Sequence, residues 1–256
     1  MPQKFSLFQF AILRGLEPPL ILALEEWLVK HSDTNIILLW QTHPSVVLGK
    51  YQSVERETRR DLLEQQGVSL YRRFTGGGAV FTDAGNMNIS VIGSSEAFSF
   101  DDAVQLQLSF LRHLQVDAGA DDRRSLFIGD RKISGSAQAV YKQRQIYHAT
   151  LLVETDLEKL NEMLQPENTD SESPLRLSVQ SHRSPVTNIY TISGNGYSIP
   201  EIETHYQVFL SGLGCMETDL NALLKKSDLL KLANEKYQNR SWVLFGTKGQ
   251  NEIKNR

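Results

Sequence analysis

The sequence predicts an α+β domain built on mixed or antiparallel sheet rather than a doubly wound parallel one. Three observations carry this. Short apolar, β-branched runs recur along the chain and interleave irregularly with about five helix-period segments, without strict strand–helix alternation. The 256 residues, set against the ~150 of an average domain, suit one large domain or a domain with a small appendage. A hydrophobic content of 40% and a charged content of 22% are those of an ordinary globule able to bury a real core.

In chain order, Phe5 to Leu13 reads as a strand. Leu20, Ala23, Leu24, Trp27 and Leu28 then recur at helical spacing behind Pro18-Pro19, residues suited to a first helical turn. Asn35 to Gln41 and Val46 to Gly49 are rich in Ile, Leu and Val and are parted by His43-Pro44, so two strands joined by a turn are expected. Glu55 to Gln66 is polar and helix-prone and stops at Gly67. Val68 to Arg73, Ala79 to Phe81 and Met87 to Ile92 read as strands, with Gly76-Gly77-Gly78 between the first two. Asp101 opens a helix carrying Val104, Leu108, Leu111 and Leu114, where an acidic residue suits the cap and the dipole. Leu126 to Ile128, Ile133 to Val140 and Ile146 to Val153 are strand-like, and Asp156 to Leu164 is a short helix. Gln165 to Pro174, polar with two prolines, is the candidate mobile loop. From Glu201 the pattern is helical, through Tyr206, Phe209 and Leu210 and then Leu220, Leu223 and Leu224, to a polar tail from Thr247. The chain shows no internal repeat.

Several function classes are excluded early. With 27 basic and 30 acidic residues the net charge is −3, so neither sequence-independent nucleic-acid binding nor adhesion to an anionic membrane is the default. No apolar run approaches the ~20 residues of a membrane-spanning helix, and Met1 to Ser6 lacks the basic and apolar regions of a secretory leader. The single cysteine, Cys215, excludes a disulfide framework and a multi-cysteine metal site, and the cytoplasm is the expected compartment.

The chemistry concentrates in two segments. In Arg72-Arg73-Phe74-Thr75-Gly76-Gly77-Gly78-Ala79-Val80, three glycines let backbone N–H groups approach an anion, and two arginines upstream can clamp a phosphate or carboxylate. Alone, a triglycine is more often a tight strand connection. Neither a P-loop ending in Gly-Lys-Ser/Thr nor a Gly-x-Gly-x-x-Gly helix opening occurs. In Gly129-Asp130-Arg131-Lys132-Ile133-Ser134-Gly135-Ser136-Ala137, small residues beside Lys132 leave room for a ligand, and Tyr147-His148-Ala149-Thr150 follows. A lone strand lysine is more often surface charge and a lone histidine more often structural, so neither carries a claim by itself.

Together these segments resemble the lipoate-protein ligase family, within the group that includes biotin ligases and octanoyl transferases. Asp83-Ala84-Gly85-Asn86 and Asp156-Leu157 extend the match. Weaker agreement runs through Leu22-Ala23-Leu24-Glu25-Glu26, Trp40, Val46 to Gln52, Val186-Thr187-Asn188, Lys236-Tyr237, Trp242 and Phe245-Gly246. The resemblance implies a large mixed, largely antiparallel sheet plus a smaller sheet, flanked by helices. It implies a catalytic domain over residues 1–246 with a polar tail at 247–256, a short form without the C-terminal accessory domain of longer members. It implies activation of lipoate (or octanoate) by ATP with Mg²⁺ to acyl-AMP, then transfer to a lysine of a carrier. The implied carriers are the lipoyl domains of 2-oxoacid dehydrogenase E2 subunits and the glycine-cleavage H protein. A separate accessory-domain chain is a further implied partner; nucleic acid and membrane are not.

By motif match, Lys132 would be catalytic, lying against the acyl-phosphate junction. Arg73, Gly76, Gly77, Gly78, Val80, Asp83, Asn86, Ser134, Gly135, Ala137, His148 and Thr150 would hold lipoyl-AMP or ATP, Trp40 and Thr82 would line the acyl tunnel, and no metal ligands are expected. Two positions depart from the family pattern, Thr82 where a histidine is usual and Ala149 where a glycine is usual. Carrier docking is expected to use Arg72, Arg131, Lys142 and Arg144. Two alternatives stand beside this reading. One is an octanoyl or lipoyl transferase working through an acyl-carrier thioester, for which Cys215, far downstream of Lys132, is the only thiol. The other is a non-catalytic acyl or acyl-adenylate binding protein. Biotin ligation is disfavoured because the Gly-Arg-Gly-Arg type of loop is absent.

Overall fold

The computed structural model describes residues 2–165, 178–189 and 196–252. After a 3₁₀ turn (Pro2–Phe5) come β1 (Gln9–Leu13), α1 (Pro18–His31), β2 (Ile36–Trp40), β3 (Ser45–Leu48), α2 (Val54–Glu57), α3 (Arg60–Gln65), β4 (Ser69–Arg72), β5 (Val80–Thr82) and β6 (Asn86–Ser94). Then follow α4 (Phe100–His113), β7 (Gly119–Ala120), β8 (Leu126–Ile128), β9 (Arg131–Ser134), β10 (Ser136–Tyr141), β11 (Arg144–Leu152) and α5 (Leu157–Met163). The chain closes with α6 (Ile199–Gly212), β12 (Met216–Glu217) and the helical segments Asn221–Leu224, Ser227–Leu232, Ala233–Tyr237 and Arg240–Glu252.

The large sheet has the order β10-β11-β6-β2-β1-β12. It is mixed: β1 runs parallel to β2 and β12, whereas β2–β6, β6–β11 and β10–β11 are antiparallel. Both faces are covered, which is why its central strands read as continuous apolar runs. Ile37 and Leu39 join the core under α4 and α6, while Ile36, Leu38 and Trp40 join the core under α1 and the C-terminal helices. The period of two along β2 thus separates two cores. A second sheet, β4-β3-β5, and a third, β7-β8-β9, complete the strands.

The structure revises several expected boundaries. The first strand starts at Gln9, because Pro2–Phe5 forms a 3₁₀ turn. The two strands flanking His43-Pro44 do not pair; they belong to different sheets. The expected helix Glu55 to Gln66 is split, with Thr58 and Arg59 extended and the Thr58 hydroxyl donating to the Met163 carbonyl at 2.6 Å. Ser99, not Asp101, caps α4, and Asp102 completes the reciprocal capping box. The expected strand Ile133 to Val140 is cut at Gly135, whose close approach to the Lys132 side chain leaves a Cβ 3.4 Å from Nζ. The candidate mobile loop lies, from residue 166 onward, outside the described residues.

The expected division at residue 246 coincides with a kink rather than with the end of helical structure. Gly246 has φ 60° within Arg240–Glu252, and Arg72 caps the turn before it. Arg72 is fully buried and donates to the carbonyls of Trp242, Val243 and Leu244 and to those of Gly49, Lys50 and Gln52. A guanidinium suits the orphan carbonyls of a helix C-terminus, and burial lowers its pKa to about 10.

Candidate functional site

Where β2, β5, the glycine segment, β9, β10 and β11 converge, a cavity of about 390 Å³ opens, within the range of small-molecule sites. Leu22, Trp40, Val47 and Val80 make one part of its wall apolar. Elsewhere Gly77, Gly78, Arg73, Arg123, Lys132 and His148 make it polar and basic. A smaller cavity of about 150 Å³, bounded by Phe81, Leu160, Ser184 and Val186, shares Lys132, Gly135, Thr150, Ala79 and Val80 with it. Lys132 therefore stands on the partition between the two spaces.

The backbone of Lys132 is fixed twice, its N–H donating to the Pro185 carbonyl at 2.8 Å and its carbonyl accepting from Thr187 N at 3.0 Å. Its ammonium, by contrast, has no hydrogen bond or ion pair among the described residues, and burial lowers its pKa below 10.5. The glycine segment is shaped by its own sequence. Gly77 has φ +85°, a conformation that β-carbons disfavour, and a Cβ on Gly49 would overlap the Gly77 carbonyl oxygen. Arg73 reaches back over the loop: Nε donates to Thr75 Oγ1 at 3.0 Å, Nη1 to Val47 O at 3.0 Å, and Nη2 to Gly76 O and Gly78 O at 2.6 Å each. Burial brings its pKa to about 10. Three of its N–H groups are thereby committed to the loop and a fourth to β3, and the guanidinium shapes the cradle more than it offers a free clamp.

Residues 17–209 match the family described as the lipoyl protein ligase A/B catalytic domain. The chain belongs to this family. A lipoate-protein ligase A of Blochmanniella floridana is 34% identical over 180 residues, 68% of this chain and 52% of that protein. The chain thus spans about half the length of that relative. A lipoate-protein ligase A bound with ATP has the same fold, with a TM-score of 0.72 and 25% identity over 93% of this chain and 98% of that one. So does a bi-partite lipoate protein ligase from Thermoplasma acidophilum, solved in work that includes its E2 lipoyl domain, with a TM-score of 0.72 and 25% identity over 93% of this chain and 96% of that one.

As in sequence order, the family motifs come together in space. Lys132, Arg73, Gly77, Gly78, Val80, Gly135, Ala137, His148, Thr150, Trp40 and Thr82 all line the main cavity. Four expected ligand-binding residues do not. Gly76 turns its carbonyl to Arg73, and Ser134 lines the smaller cavity. Asp83 accepts from the N–H groups of Gly85 and Asp156, and burial raises its pKa. Asn86 donates to Phe81 O. Asp83 and Asn86 thus brace the turn beneath the site. Thr82 sits at the wall in a small polar cluster, hydrogen-bonded to Thr42 Oγ1 at 3.4 Å and accepting from Asn88 Nδ2 at 3.2 Å.

Sequence reasoning missed the segment Val179 to His182, which forms another wall. Ser181 pins it: its hydroxyl accepts from Ala79 N at 2.8 Å and Gln52 Nε2 at 3.1 Å, and its N–H donates to Glu57. Burial raises the pKa of Glu57. Glu25 and Thr75, which fall within the resembling segments but were given no role there, and Ser90, which sequence reasoning missed, lie behind the wall; an acidic pair inside the buried α1 was the available signal.

Two expectations about surface groups and the thiol need correction or sharpening. Arg72 cannot dock a carrier, being fully buried against backbone carbonyls. Arg144 is half-buried and donates to Thr34 O at 2.6 Å, whereas Arg131 and Lys142 are exposed. Cys215 lies in the core, 5% exposed, with Sγ 3.2 Å from the Phe5 carbonyl and a pKa pushed up to about 11 by burial. It does not line the cavity, and a thiol in that state is a poor nucleophile.

Proposed function

We propose that the cavity activates lipoate, or octanoate, with ATP to an acyl-AMP and passes the acyl group to a lysine of a lipoyl carrier domain. The observation that carries this is the Lys132 ammonium, which lines the cavity where the apolar wall meets the glycine loop and makes no hydrogen bond or ion pair among the described residues, with Asp121 only a longer-range attractive charge. In the first half-reaction a carboxylate oxygen bonds to the α-phosphorus and pyrophosphate leaves. In the second, a carrier lysine forms an amide with the acyl carbon, AMP leaves, and the attacking amine loses a proton. Negative charge concentrates at the same junction in both, and a fixed ammonium in a partly dry site stabilises it more than water would. The apolar wall of Leu22, Trp40, Val47 and Val80 takes the acyl chain, whose burial contributes roughly 0.8 kcal/mol per CH₂. Such a wall discriminates chain length moderately.

The names of the relatives support lipoate as the acyl donor, the ATP-bound relative supports the nucleotide, and the Thermoplasma work supports an E2 lipoyl domain as acceptor. The H protein is proposed as a second acceptor of the same class. Mg²⁺ would enter with the phosphates, as it does where nucleotide oxygens supply much of its coordination. No helix of the described residues is long and apolar enough to cross a membrane, and a cytoplasmic setting fits the free thiol.

The test combines purified chain, Mg-ATP, lipoate and an apo lipoyl domain, then omits ATP and supplies octanoyl-carrier protein instead. ATP-dependent lipoylation is expected. Transfer only from the carrier thioester would replace this reading by a transferase. Synthetic lipoyl-AMP, used as donor, separates a defect in adenylation, as from a missing second chain, from a defect in transfer.

A further inference from the structure

Glu25, on α1, is a fully buried acid that the proposed chemistry does not use. Such a carboxylate has to be held by donors, and its donors reach both sides of the cavity. On one side, Trp40 Nε1 donates to Ser90 Oγ at 2.9 Å and Ser90 Oγ donates to Glu25 Oε1 at 2.5 Å. On the other, His148 Nδ1 lies 3.1 Å from both carboxylate oxygens. His148 Nε2 is 2.8 Å from Thr75 Oγ1, which also accepts from Arg73 Nε. Arg73 in turn holds the Gly76 and Gly78 carbonyls. The acyl wall at Trp40 and the glycine loop are thus joined through one carboxylate.

The geometry suits one polarity of this chain. With a neutral imidazole, Nδ1–H would face the two carboxylate oxygens, and bare Nε2 would take the Thr75 hydroxyl proton. The Thr75 oxygen remains an acceptor for Arg73. The Glu25 carboxylate also acts favourably on the buried Arg73 charge.

We infer that Glu25 is a positioning residue that fixes His148 as the Nδ1–H tautomer and, through Thr75 and Arg73, locks the glycine loop opposite Lys132. The catalytic consequence rests on the acyl-adenylate reading; the tautomer and the loop do not. Glu25→Gln keeps the shape but replaces one acceptor by a donor, so His148 should be driven toward the Nε2–H form.

The experiment is ¹⁵N NMR of histidine-labelled wild type, Glu25→Gln, Glu25→Asp and Thr75→Val, with amide hydrogen exchange at Gly76 to Gly78 and lipoate-dependent ATP–pyrophosphate exchange. Wild type should show protonated Nδ1 and bare Nε2. Glu25→Gln should lose that signature, exchange its glycine amides faster and lose ~10–100-fold in kcat, with a smaller change in the KM for ATP. Glu25→Asp should restore the tautomer and part of the rate. Thr75→Val should keep the Nδ1–H tautomer yet free the loop, which a role confined to folding would not produce. Wild-type His148 protonated at Nε2, or unaltered loop exchange in Thr75→Val, would overturn the inference even if no variant at Glu25 folds. Absence of pyrophosphate exchange in wild type would instead count against the acyl-adenylate reading, leaving tautomer and loop exchange to decide the role of Glu25.

Discussion

Replacing Lys132 by methionine keeps the stem and removes the charge. Because its ammonium makes no hydrogen bond or ion pair among the described residues and is itself desolvated, removing it leaves no buried group unpaired, and the fold should be retained. The loss in rate is a different matter. A unit charge ~4 Å from a developing anion at an effective dielectric of about 20 is worth ~4 kcal/mol, and removing one preorganised donor costs about 10²–10³ in rate. A drop of at least ~10²-fold is therefore expected in both half-reactions. Single-turnover formation of acyl-AMP and single-turnover transfer from synthetic acyl-AMP would measure them separately. The pH profile adds a signature. Burial lowers the Lys132 pKa below 10.5, so the ammonium is lost earlier than in an ordinary lysine. The rate, as kcat/KM, should fall as pH rises through that depressed value, and the limb should vanish in Lys132→Met. Stability moves the other way: between the depressed value and 10.5 the unfolded chain binds more protons, so this group's contribution favours folding increasingly as pH rises. Near-normal rates in both steps would refute the role given to Lys132.

Arg72→Met leaves buried carbonyls of Gly49, Gln52 and the helix end unpaired, which should cost ~3 kcal/mol or more. At ~2–4 °C per kcal/mol, that is a fall in Tm on the order of 10 °C by calorimetry. Gly49→Ala forces the Gly77 carbonyl to move, so the KM for lipoate or ATP should rise several-fold in pyrophosphate exchange. Cys215→Ser can keep its bond to the Phe5 carbonyl, and carrier lipoylation should stay near wild type; loss of transfer with a trapped acyl-thioester would restore the transferase reading. Arg131→Glu with Lys142→Glu reverses two exposed charges and should raise the KM for carrier, more at low salt than at high, while leaving pyrophosphate exchange intact.

Local chemistry made part of the site legible. Three adjacent glycines and a lysine beside small residues are unusual enough to mark positions, and Lys132, Gly77 and His148 do line one cavity. Neighbouring arginines were not distinguishable: Arg72 turns to the C-terminal helix and Arg73 to the glycine loop, because successive strand residues face opposite ways. Glu25 lies 123 positions from His148, and no local pattern announces such a pair. Ser181 sits in a polar stretch without periodicity, and its role appears only through Ala79 and Gln52. In the fold, long apolar runs such as β2 were readable, whereas β12 has two residues and β9 and β10 are parted by a single glycine. Elements that short carry no period to detect.

The most direct test is whether the chain makes an acyl-adenylate when no carrier is present. The purified protein, incubated with Mg-ATP and lipoate, repurified and examined by mass spectrometry, should hold lipoyl-AMP at about one per chain. On addition of apo lipoyl domain without further ATP, that acyl group should appear on the carrier lysine. No adenylate under these conditions, together with ATP-independent transfer from an octanoyl-carrier thioester, would contradict the account.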